Sequence, residues 1–231
     1  MKTLGMIGGV GPDSTIDYYR LIIAAYRERR PDGSYPPIII NSVNLKEMVD
    51  LLEANNLPGL VARLVAEVGK LAKAGAELGI LTSNTPHIVF DDVARQCPIP
   101  LISIVEATCD AAATMGLRKL GLVGSRYTMQ ARFYPDVFSR RGITLISPHA
   151  DEQAYIHNRY MSELVNGIFR AETRDGLLQI VDRMKQQDHI DGLILGGTEL
   201  PLILRDVPDR GIPFLDTTRI HVNAVMAQLG V

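Results

Sequence analysis

Short apolar, β-branched runs alternate along the chain with longer stretches of helical periodicity. The runs are Leu4–Ile7, Pro37–Val43, Leu78–Leu81, Ile99–Ile104, Leu120–Val123, Ile143–Ile146, Ile190–Leu195 and Ile212–Leu215. Between them apolar positions recur every three or four residues, as in Leu60–Ala74, where Leu60, Leu64, Val65, Val68 and Leu71 form one stripe. Continuous apolar runs suit strands buried on both faces, and strands separated by helices pair in parallel. The pattern predicts an α/β fold with mainly parallel sheets flanked by helices.

Two pairs of strand-end turns recur. Gly8-Gly9-Val10-Gly11-Pro12-Asp13-Ser14-Thr15 follows one strand and precedes a helix, as Gly124-Ser125-Arg126-Tyr127-Thr128-Met129 does later. Ile80-Leu81-Thr82-Ser83-Asn84-Thr85 likewise matches Ile194-Leu195-Gly196-Gly197-Thr198-Glu199. Gly8 and Gly124 are 116 positions apart, Ser83 and Gly197 are 114. The near-equal offsets suggest a duplicated half, giving two pseudo-symmetric domains. The first is expected over 1–100 plus 211–231, with a last helix at about 216–229, and the second over 101–210. A ligand would sit in the crevice between them, outside the carboxyl ends of the strands.

Composition narrows the function. Of 231 residues 46% are hydrophobic and 22% charged, with a net charge of −2, and the densest basic stretch is Arg27-Glu28-Arg29-Arg30, broken by an acid. Nucleic-acid and membrane-surface partners both need concentrated positive charge and are not expected. No apolar stretch approaches the roughly 20 residues that span a bilayer, and the start enters a strand at once without a signal-like region. Cys97 and Cys109 form neither a disulfide framework nor a metal spacing. A cytoplasmic location is the expectation.

The turns carry the candidate chemistry. Glycines at Gly8, Gly9 and Gly11 let backbone approach a ligand, and a following helix start offers N–H groups to an anion. The spacing is not that of a dinucleotide fingerprint, and Asn41-Ser42-Val43-Asn44 lacks the acid a ribose would need. Ser83-Asn84-Thr85 before Pro86, and Thr198-Glu199 before Pro201, present small polar groups at strand ends. Such groups suit a carboxylate held by several hydrogen bonds, and they equally suit helix capping. Val10, Gly11, Lys46, Ser83, Asn84, Thr85, Arg126, Thr128, Thr198 and Glu199 are the candidate binding residues. Lys46, Arg126 and Arg219 lie near helix starts, where solvated charge is the plain alternative. His87 stands near Ser83, either orienting it or simply packing. His149, His157, His189 and His221 are dispersed without metal-ligand spacing, and no metal is expected.

Several motifs give the chain a family likeness. Lys2-Thr3-Leu4-Gly5-Met6-Ile7-Gly8-Gly9 with Gly11-Pro12 and Ser14-Thr15, Asn84-Thr85-Pro86-His87, Ile104-Val105-Glu106-Ala107-Thr108, Tyr127-Thr128-Met129, Asp151-Glu152-Gln153 and Gly196-Gly197-Thr198-Glu199 occur in order. Together they resemble the aspartate/glutamate racemase family over nearly the whole chain. The resemblance implies two pseudo-symmetric α/β domains, a homodimer, and cofactor-independent racemisation of an acidic amino acid. It also implies two cysteines, one taking the α-proton and one returning it on the opposite face. Their positions correspond here to Ser83 and Gly197. A serine hydroxyl is a poor base without a partner, and glycine has no side chain. The expectation is therefore a racemase-family protein that binds a small acidic amino acid or dicarboxylate and racemises slowly or not at all. The alternatives are a non-catalytic acidic-ligand binder and a one-sided lyase or decarboxylase using Ser83 with His87.

Overall fold

A computed structural model describes residues 1–230. Two compact units result, one of residues 1–104 and 221–231, the other of residues 105–220. Each holds a four-stranded, all-parallel sheet flanked by helices.

In the first unit, β1 (Leu4–Gly8), β2 (Ile38–Ser42), β3 (Leu78–Leu81) and β4 (Leu101–Ile102) lie in the order β2-β1-β3-β4. Side-chain alternation along β1 sends Leu4 and Met6 to one face and Ile7 to the other. Leu4 and Met6 pack with Tyr18, Ile22 and Tyr26 of α1 (Pro12–Arg29) and with Val222, Val225 and Met226 of the C-terminal helix, Thr217–Leu229. Ile7 joins Leu60, Leu64, Val68 and Leu71 on the opposite side. After α2 (Leu45–Glu53), those four residues are the buried part of the predicted stripe of α3 (Leu57–Lys73), with Val65 partly buried beside them, and the helix start is capped by Asn56 through the Gly59 N–H at 2.9 Å. The central strands β1 and β3 are buried throughout, which explains their unbroken apolar runs, whereas the edge strand β2 is partly exposed. Next come a short 3₁₀ turn at Thr85–Val89 and α4 (Phe90–Gln96).

The second unit opens with α5 (Ile104–Thr114) and repeats this topology. The strands β5 (Lys119–Gly124), β6 (Thr144–Ile146), β7 (Gly192–Gly196) and β8 (Phe214–Asp216) run in the order β6-β5-β7-β8. The helices are α6 (Arg126–Gln130), α7 (Phe133–Ser139), α8 (Ala150–Ser162), α9 (Ala171–Arg183) and α10 (Leu200–Leu204), with the C-terminal helix as α11. Ile156 and Tyr160 of α8, Leu177 and Val181 of α9 and Leu200 of α10 pack on Val123, Leu193 and Leu195 of the sheet. β8 is hydrogen-bonded to β7, and the chain returns to the first unit at His221, within α11. Among the described residues no helix is long and apolar enough to cross a membrane.

Candidate active site

In each unit the chain builds a central strand, adds a neighbour on one side, then crosses to the other. The turns after β1 and β3, and after β5 and β7, therefore leave the carboxyl edges at the switch points, where open parallel sheets bind ligands. These are the four turns singled out from sequence.

In the first unit, Gly9 and Gly11 have φ of +80° and +91°, a region closed to most L side chains. Thr15 fixes this turn from α1. Its hydroxyl accepts the Gly9 N–H at 2.9 Å and lies 3.1 Å from the Gly11 carbonyl, to which Ser14 also donates at 2.8 Å. Val10 puts its side chain into the core, which leaves its backbone for any ligand.

At the end of β3, the Thr82 hydroxyl donates to the Ile7 carbonyl at 2.9 Å, tying the two central strands together at the turn. Ser83 and Asn84 are buried and Thr85 half-buried. His87 lies one turn on, stacked on Phe90 with ring centroids 4.8 Å apart. The Ile104 N–H donates to its Nε2 at 3.2 Å, so Nδ1 carries the hydrogen and donates to the Ser83 carbonyl at 3.0 Å. Burial, reinforced by the neighbouring His221, pushes the His87 pKa down to about 3. His221 has the opposite tautomer, with Nε2 donating to the Ile102 carbonyl at 3.1 Å and Nδ1 accepting from the Tyr18 hydroxyl at 2.9 Å. Burial takes it to about 4. The imidazole of His87 therefore holds the carbonyl of Ser83, not its hydroxyl, and both ring nitrogens are committed. The Ser83–His87 pair that a one-sided reaction would use is not formed. His87 instead ties the turn to the start of α5.

In the second unit, Ser125 caps the short α6 through the Thr128 N–H at 3.4 Å, and Thr128 is fully buried. Arg126 lies over the Tyr127 ring, 4.9 Å from its centroid, and donates to the Tyr127 hydroxyl at 3.0 Å. After β7, Gly197, Thr198 and Glu199 are all buried. Glu199 Oε2 accepts hydrogen bonds from the Tyr160 hydroxyl and, at 3.3 Å, from the Thr198 hydroxyl. Burial, and then the Glu199 charge, push the Tyr160 phenol well above its ordinary pKa. A Cβ at Gly197 would lie 2.5 Å from Tyr160 Cε2 and 2.8 Å from its hydroxyl oxygen. The sequence pattern passed over Tyr160. The one signal was Gly197 itself, since a glycine in a buried turn implies a large neighbour but does not name it.

The remaining candidates make local contacts. Lys46 is exposed on α2, and its ammonium bonds Asp50 one turn on at 2.7 Å. Arg219 is exposed beside Asp216, at 3.7 Å. Cys109 is buried on α5, where burial and then the Glu106 and Asp110 charges raise its thiol to about 11. Burial likewise raises Cys97. Neither thiol is activated. Among the described residues no three His, Cys, Asp or Glu side chains gather to hold a metal ion.

Comparison with known proteins places this arrangement. A candidate Asp/Glu racemase from Yersinia pestis is 32% identical, each chain fully covering the other, with a TM-score of 0.88. An aspartate racemase homologue from Pyrococcus horikoshii OT3 is also 32% identical with full mutual coverage and a TM-score of 0.82. The broad specificity amino-acid racemase RacX of Bacillus subtilis (strain 168) is 23% identical over 228 residues, 93% of this chain and 92% of its own. The Asp/Glu/hydantoin racemase family pattern matches residues 7–225. With that span matched, and with the two-sheet fold of those relatives, the chain belongs to the Asp/Glu/hydantoin racemase family.

Proposed function

We propose that this chain binds a small acidic amino acid or dicarboxylate and does not run two-thiol racemisation on it. The observation that carries the reading is the buried polar turn at the switch point of each sheet. Ser83 and Asn84 occupy it in the first unit, Thr198 and Glu199 in the second. Val10, Gly11, Thr85, Arg126 and Thr128 stand on the same turns or beside them. Buried hydroxyls, an amide and backbone N–H groups can share a carboxylate's charge through several directed bonds. The racemase names of the relatives support an amino acid as ligand. The missing thiols argue for a changed reaction, since a serine lacking a partnered base and a glycine cannot exchange an α-proton as two thiolates would. With the family resemblance go a homodimer, no cofactor and a cytoplasmic location.

The test pairs binding with chemistry. Thermal unfolding is followed with L- and D-aspartate, L- and D-glutamate and succinate, and the enantiomers are assayed by chiral chromatography. Stabilisation by at least one of these acids with little inversion is the expected result. Fast inversion of aspartate or glutamate overturns the claim about the reaction, and stabilisation by none of the acids overturns the ligand class.

A further inference from the structure

The space left by Gly197 is not empty. Tyr160 reaches it from α8, its ring packed in the core of the second unit and its oxygen end at the turn after β7. The phenol oxygen would be 2.8 Å from a Cβ at position 197, within the volume a small polar side chain there would fill. Behind it stands Glu199, whose Oε2 accepts both the phenol and the Thr198 hydroxyl. A titratable oxygen, its proton acceptor and a second donor that steadies the acceptor thus replace the side chain residue 197 lacks.

We propose that Tyr160, relayed to Glu199, is the proton-transfer group of the second unit. The proposal rests on the acidic-ligand reading above. In the step, the phenol oxygen takes the proton from the ligand's α-carbon while its own proton passes to Glu199 Oε2. The Cα–H bond breaks, and its electron pair stays on the ligand, spread into the adjoining carboxylate. A new O–H bond forms on Tyr160, and Glu199 becomes a carboxylic acid. The reverse step, once the new phenol proton has exchanged with water, returns a solvent proton to the same face. Tyr160 remains a neutral phenol before and after, which agrees with the burial and negative charge that oppose its ionisation. The Ser83 turn offers no comparable relay, because its imidazole neighbour is committed at both nitrogens. The reaction is therefore α-proton exchange with retention.

The test follows the α-proton of L- and D-aspartate and L- and D-glutamate by NMR in deuterated water. The full-length protein is compared with Tyr160→Phe, which keeps the ring, and with Glu199→Gln, which keeps the phenol a hydrogen-bond acceptor should the first variant fold poorly. Binding is followed in parallel by thermal stabilisation. The expected result is exchange of one enantiomer without inversion, lowered about 100-fold or more in either variant, with binding persisting in Tyr160→Phe, the scale of a lost general acid–base group. Exchange at the wild-type rate in a folded variant overturns the relay. So does a wild-type protein that binds one of these acids but exchanges nothing, and in that case the acidic-ligand reading stands. Absence of binding by all four acids removes that reading together with the relay.

Discussion

The ring of Tyr160 fills the space into which a side chain at position 197 would grow, its Cε2 being 2.5 Å from where the Cβ of Gly197 would be. Real Cβ atoms do not tolerate that distance, and φ at Gly197 is not in the left-handed region, so the constraint is packing rather than backbone conformation. Gly197→Ala should accordingly cost about 1–3 kcal/mol, as overpacking does. In a Tyr160→Ala background the same substitution should cost almost nothing. The coupling, about 1–3 kcal/mol, is read from urea unfolding of the four proteins. Equal costs of Gly197→Ala in the two backgrounds would show that the two residues do not share this space.

That relationship marks where the sequence stops being legible. All eight strands follow from apolar runs, most plainly the central strands β1, β3, β5 and β7, which are almost wholly buried. The run Ile99–Ile104 shortens to Leu101–Ile102 since Pro98 and Pro100 cannot donate to a ladder. The turns at Ser83 and Gly197 were visible as polar strand ends, and their switch-point placement follows from the parallel order. Tyr160 was not visible. On α8 it reads as one more core residue, and its hydroxyl's partner is 39 positions away. The role of His87 was likewise open, because its bonds go to backbone groups at Ser83 and Ile104, which no side-chain pattern reports.

The buried histidines set an acid limit on stability. Both bind a proton more readily unfolded, where the ordinary value is 6.5, than folded, where His87 sits at about 3 and His221 at about 4. Their contribution is complete above about pH 6.5 and is lost as the pH falls towards 4 and then 3. While only the unfolded chain takes up the proton, each histidine removes up to about 1.4 kcal/mol per pH unit. Urea unfolding between pH 7 and pH 4 should show this decline, and His221→Gln should make it shallower. An unchanged slope in that variant would assign the acid limit to other groups.

Thr15 should matter more than its place on a helix suggests. Its hydroxyl is the partner of the Gly9 N–H, and the residue is buried. Thr15→Val keeps the shape but leaves that N–H unsatisfied, at a cost of about 1–3 kcal/mol. The left-handed turn it braces should loosen as well, so thermal stabilisation by an acidic ligand should shrink more than in Ser34→Ala, on an exposed loop. Hydrogen exchange at Gly9 reads the local effect. A Gly9 amide as protected in Thr15→Val as in the wild type would show that another group satisfies it.

Neither cysteine should take part in whatever chemistry occurs. With its thiol at about 11, Cys109 carries roughly one thiolate in 10⁴ at pH 7, and burial further limits reagent access. Cys97, half-buried and also raised, should react slowly. Iodoacetamide at pH 7 is therefore expected to label Cys97 before Cys109. Neither binding of an acidic ligand nor α-proton exchange should change on labelling, and Cys97→Ser with Cys109→Ala should behave like the wild type. Loss of exchange on alkylation, with the fold intact by circular dichroism, would return the chemistry to a thiol and take it away from Tyr160.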